Sequence, residues 1–132
     1  MIEGKIKDYF RSRDDIAAVF LFGSHATGKD RPDSDVDIAI LFQTLPPDVI
    51  RDLVDTLMVD LSRLLKKDIH PVILNHAGEE LLTQVLKKGK CIVVNDQRKL
   101  AVFRMGAFAK IFNFAYYRGL MQAGLIKSVV QG

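Results

Sequence analysis

Two kinds of apolar spacing alternate along the chain, and each predicts a different element. Residues 16–22 (IAAVFLF) and 36–42 (VDIAILF) are short runs, apolar at almost every position, as interior strands are. Ile2, Ile6, Tyr9 and Phe10 instead recur at helical spacing and predict an amphipathic helix over 2–13, with Asp14-Asp15 turning the chain into the first strand. Pro46-Pro47 mark a second helix entrance. From 48 to 66, Ile50, Leu53, Val54, Leu57, Met58, Leu61, Leu64 and Leu65 form one stripe, closed by Lys66-Lys67. Residues 69–74 read as a third strand. Pro71 removes a ladder donor there, which puts that strand near an edge. Glu79–Lys88 is a helix with acid at its start, lysines at its end and Gly89 after it; residues 91–94 are a fourth strand. The order of elements is that of an α/β (α+β) protein with about four strands flanked by helices.

The last segment behaves differently. Residues 97–130 are helical in character, but Phe103, Met105, Phe108, Ile111, Phe112, Phe114 and Tyr116 circle the helix instead of keeping to one stripe. Gly106, Gly119 and Gly124 are expected to divide it into pieces. We read 1–96 as the core of the fold and 97–132 as a C-terminal helical segment of the same domain. Its surplus apolar surface is expected to serve as an interface, to a partner or to a second copy in a homo-oligomer. Lys110 and Arg118 argue against a membrane span.

Composition narrows the class. A chain of 132 residues that is 48% hydrophobic and 27% charged has the make-up of one soluble globular domain. A net charge of +3 suits an anionic ligand or partner but shows no basic stripe, which speaks against a nucleic-acid partner. The lone Cys91 excludes an intrachain disulfide and stands in an apolar run, expected in the core. The N-terminus carries no apolar core of a signal peptide and no segment has the length of a membrane span, so a cytoplasmic location is expected.

The chemistry concentrates in residues 19–42, VFLFGSHATGKDRPDSDVDIAILF. Asp35 and Asp37 alternate at the opening of a strand and so share one face. Two carboxylates beside so much apolar sequence are costly without a cation, and Mg²⁺ takes such oxygen ligands while leaving positions for phosphate. Gly23 ends the preceding strand and permits close backbone approach to a ligand. A short helix starting at Ser24 would turn its amides and a hydroxyl toward an anion above the strand end.

Gly23-Ser24, ten residues, then Asp35-Val36-Asp37 is similar to the paired signature of the DNA polymerase β-like nucleotidyltransferases. GSHATG followed by RPDSDVDIAIL in a short chain most resembles the minimal nucleotidyltransferases, commonly the MNT antitoxins (MntA type) of HEPN–MNT toxin–antitoxin pairs. The resemblance runs from about residue 6 to residue 96. It implies a nucleotidyltransferase fold with a mixed sheet. It also implies Mg²⁺-dependent transfer of a nucleoside monophosphate from ATP or another nucleoside triphosphate to a hydroxyl of a partner, a HEPN ribonuclease toxin adenylylated on tyrosine. In that reading Gly23 and Ser24 bind nucleotide, Asp35 and Asp37 are catalytic and hold the metal, and Lys29 and Arg31 reach the phosphates. The chain departs from the pattern in two places. His70 stands where relatives carry a third aspartate, either as a base or metal ligand or as a mark of weakened catalysis. His25 and Thr27 stand where relatives often carry arginine. The competing expectation is a nucleotide-binding antitoxin with little or no transfer activity that neutralises its partner by contact.

Overall fold

The structure, a computed structural model, describes residues 2–28 and 34–124. The elements follow in the order α1 (Ile2–Phe10), β1 (Ile16–Phe22), α2 (Ser24–Thr27), β2 (Val36–Phe42), α3 (Pro47–Leu65), β3 (Ile69–Ile73), α4 (Glu79–Lys88), β4 (Lys90–Val94) and α5 (Gln97–Gln122). The four strands form one sheet in the order β3-β2-β1-β4. β1 is antiparallel to both neighbours, whereas β2 and β3 run parallel and are joined through α3, the crossover that a parallel pair requires. The sheet is therefore mixed.

Strand alternation sends side chains into two separate cores. Val36, Ile38, Ile40 and Phe42 of β2 pack with Ile6 and Phe10 of α1 and with Leu57 and Leu61 of α3. Ala39 and Leu41 point the other way and join Ala17, Ala18 and Phe20 of β1, Leu82 and Val85 of α4, and Leu100 and Ala107 of α5. Helices thus cover both faces: α1 and α3 on one, α4 and α5 on the other. A register irregularity between Ile16 and Ala18 accompanies the placement of both Ala17 and Ala18 in the second core.

Several boundaries differ from the sequence expectation. α1 stops at Phe10, because Ser12 takes a left-handed φ of 59° that no helix continues through. α3 begins with Pro47 in its first turn, where a missing N–H costs nothing. Met58 and Leu64, expected on its core stripe, are exposed. β3 pairs only with β2 and is an edge strand. The Leu74 amide donates to Ile40 O at 2.9 Å. Residues of β3 two and four positions earlier share its side, so Pro71 lies where an amide would face outward and removes no ladder bond. α5 is unbroken from Gln97 to Gln122, with Gly106 and Gly119 inside it; only Gly124, at φ 77°, lies past its end. The cost of two glycines is offset by the packing of Leu100, Phe103, Ala107 and Ile111 on the second core together with a capped start, where Asp96 accepts from the Lys99 amide at 2.9 Å. Cys91 is half-buried, and that burial pushes its thiol pKa up.

Candidate active site

Because β1 runs against β2, the end of β1, the start of β2 and the start of β3 meet at one end of the sheet. Phe22 is in register with Asp37, and Asp37 with His70. Those three neighbours belong to the face that α4 and α5 cover, yet Asp37 is only half-buried, since the helical cover does not extend to this end.

Gly23 leaves β1 at φ 74° and ψ −150°, a conformation essentially confined to glycine. A β-carbon there would collide with an Asp37 carboxylate oxygen and lie 3.2 Å from its Cγ. The absence of a side chain is thus what lets the carboxylate sit against the turn. α2 starts one residue later, with the Ala26 amide donating to Gly23 O at 3.2 Å, and Gly28 closes it at φ 73°. The glycine corner and the second aspartate form one constellation.

Asp35 lies just before β2, and its carboxylate reaches β3. His70 Nε2 lies 3.1 Å from Asp35 Oδ2, with 58% and 49% of the two side chains exposed. A pair that open holds little free energy, so both groups remain available to a ligand. The parallel register also sets His70 directly across from Asp37. Asp37, Asp35 and His70 therefore line one open sheet end. Lys29 and Arg31 lie outside the described residues.

Among the described residues no three His, Cys, Asp or Glu side chains form a ready-made metal cage. Asp35 and Asp37, two positions apart at the opening of β2 beside the Gly23 turn, nevertheless suit a Mg²⁺ ion, which is usually held by one or two carboxylates together with substrate phosphates. The polar cleft of about 570 Å³ lined by Ser12, Arg13, Gln43, Asn95 and Asp96 opens at the opposite end of the sheet, away from these groups.

Sequence reasoning did not find the contact between Asp35 and His70. It depends on the parallel pairing of β2 with β3, which no local pattern encodes.

Comparison with known proteins assigns the fold. The family model described as "Polymerase beta, Nucleotidyltransferase" matches residues 4–98. The chain belongs to that nucleotidyltransferase family. Three solved structures extend the likeness of this nucleotidyltransferase beyond the matched residues. A chain from a crystal structure of a toxin–antitoxin with AMP-PNP is 27% identical, with a TM-score of 0.70, covering 98% of this chain and 99% of that one. A chain from a tri-AMPylated Shewanella oneidensis HEPN toxin in complex with its MNT antitoxin is 26% identical, with a TM-score of 0.64 and coverage of 98% and 96%. A chain from the toxin–antitoxin MntA–HepT is 26% identical, with a TM-score of 0.63 and coverage of 98% and 97%. A search of curated proteins gives no match. No helix among the nucleotidyltransferase's described residues is long and apolar enough to cross a membrane.

Proposed function

We propose that this nucleotidyltransferase is an MNT antitoxin that transfers a nucleoside monophosphate from ATP, or another nucleoside triphosphate, to a hydroxyl of a HEPN ribonuclease toxin. The observation that carries the reading is the Asp37 carboxylate resting against the Cα of Gly23. A turn suited to phosphate and an acid suited to a divalent ion share one space. The complexes of the structural relatives, one with AMP-PNP and one with an AMPylated HEPN toxin, support the choice of substrate and acceptor.

In this reading the backbone beyond Gly23 and the Ser24 hydroxyl hold the triphosphate, aided by Lys29 and Arg31. Asp35 and Asp37 hold Mg²⁺, which when bound supplies charge neutralisation on the phosphates. The acceptor oxygen attacks the α phosphorus, a new P–O bond forms, and the bond to pyrophosphate breaks. The acceptor proton leaves to a base, the role that this reading gives to His70. The acceptor hydroxyl arrives on the partner, as the AMPylated toxin of a structural relative suggests. A reducing cytoplasm is the compartment in which such a pair would act.

A second reading rests on the same contact seen from the other side. His70 Nε2 stands 3.1 Å from one of the two carboxylates, on the side from which an ion would approach it. A protein so arranged would bind nucleotide and neutralise its partner by contact alone. Incubation with labelled ATP, Mg²⁺ and the HEPN toxin separates the two. A mass increase of one nucleotide on the toxin, lost in Asp35→Asn and Asp37→Asn, supports transfer. A stable unlabelled complex in which the toxin is silent supports contact.

A further inference from the structure

α5 outruns the sheet that it covers. Leu100, Phe103, Ala107 and Ile111 pack onto the second core. On the far side the exposure is heavy: Met105 74%, Phe108 53%, Phe112 78% and Tyr116 64%. Beyond Ile111 almost every described position is open. The exposed residues are ordered. Ala101, Met105, Phe108, Phe112, Ala115 and Gly119 alternate at steps of four and three, the seven-residue repeat of a helix that packs along another helix. The large members stand in the middle and the small ones toward both ends, where helix backbones can approach closely.

The charges decide what lies against this seam. α5 carries Arg98, Lys99, Arg104, Lys110 and Arg118 and no Asp or Glu. One flank of the seam bears Arg104 and Arg118, two heptads apart, with the core-packed Ile111 between them and the guanidinium groups over the rings of Phe20 and Phe114 at 5.8 and 5.0 Å; the other bears Val102, Ala109 and Tyr116. In an antiparallel pairing with a second α5, Arg104 of one copy would face Arg118 of the next. In a parallel pairing each arginine would face an apolar flank and find no counter-charge. Flanking charges select partner and orientation in helix pairs.

We propose that the exposed seam of α5 docks a helix of a different protein, apolar along its own seam and carrying Asp or Glu opposite Arg104 and Arg118. This surface deepens the proposed function by giving the acceptor protein a place to bind, but its test does not depend on that reading. Two synthetic 28-residue helical peptides serve as probes, both with leucine along the seam, one flanked by glutamate and one by lysine. Fluorescence anisotropy on the full chain should show the glutamate peptide binding at least tenfold more tightly than the lysine peptide. Phe108→Glu with Phe112→Glu should abolish that binding, and Arg104→Glu with Arg118→Glu should reverse the preference. AMP-PNP protection against heat is expected to survive in all of these variants, which separates failure of the docking surface from failure of the nucleotide site. Equal affinity for both peptides, binding that persists in the Phe108/Phe112 double variant, or a concentration-dependent dimer of the chain alone that this variant dissolves would each overturn the proposal.

Discussion

The two faces of the sheet are built from different materials. The face under α1 and α3 is filled by branched and aromatic side chains that are almost wholly shut away, among them Phe10, Ile38, Ile40, Phe42, Leu57 and Leu61. The face under α4 and α5 is paved with Ala17, Ala18 and Ala39 and ends in Asp37 and His70. Both belong to the same strands, since consecutive residues of β2 alternate between them. Most of the buried bulk sits on the first face, and the second, shallower face carries the open end where the candidate chemistry lies. One strand thus serves stability and function on opposite sides, and substitutions one residue apart should separate the two.

The largest effect on stability is expected on the closed face. Phe42→Ala removes a fully buried ring and should cost about 3–5 kcal/mol in urea unfolding, while any folded protein left at low temperature keeps its affinity for AMP-PNP. Asp37→Asn should do the reverse. Loss of one charge-stabilising group lowers a transfer rate by on the order of 10²-fold, and the urea midpoint should stay the same or rise, because a carboxylate beside Asp35 has been neutralised. A fall in stability without a fall in transfer would place Asp37 in the scaffold instead. Ala39→Leu tests how tightly α4 and α5 seat on the alanine floor: overpacking of this kind costs about 1–3 kcal/mol, and thermal melting should show the loss without a matching loss in the isosteric control Leu41→Met.

The smallest effect concerns pH. The Lys99 amide, helped by the Gln43 side chain, holds the Asp96 carboxyl below its usual pKa. A group lowered by folding adds stability above its unfolded pKa and loses it as the pH falls through the folded value. The melting temperature should therefore drop on acidification below the ordinary carboxylate range, and Asp96→Ala should show a smaller drop than the parent. An identical acid profile in the two proteins would remove Asp96 from the explanation.

Legibility in the sequence followed locality. The strand at residues 16–22, the turn at Gly23, the short α2 and the strand at residues 36–42 are set by near neighbours, and the structure places them at the expected positions. The edge position of β3 was readable from Pro71 alone. Which helices cover which face was not readable, because it depends on how the chain returns after α3 and α4. Nor was the tie between Asp35 and His70, two residues brought together by a parallel register over more than thirty positions. In α5 the expected breaks at Gly106 and Gly119 do not occur. Its apolar residues circle the helix as expected; the near half of that ring packs into the core and the far half forms an ordered seam, a division that only the position of the sheet reveals.

Pro71 has a further consequence for how the molecule behaves in a crowded solution. Sheets grow sideways when a bare outer strand offers its amides to another chain. The rim next to His70 would be the natural place for such growth, as it is the outer boundary of β3 and borders the open sheet end. With a ring nitrogen in the middle of that five-residue strand, an incoming backbone meets a gap in the row of donors and cannot zip along it. The proline thereby acts as a guard, keeping identical molecules from stacking across the rim and leaving the approach to the acidic pair clear.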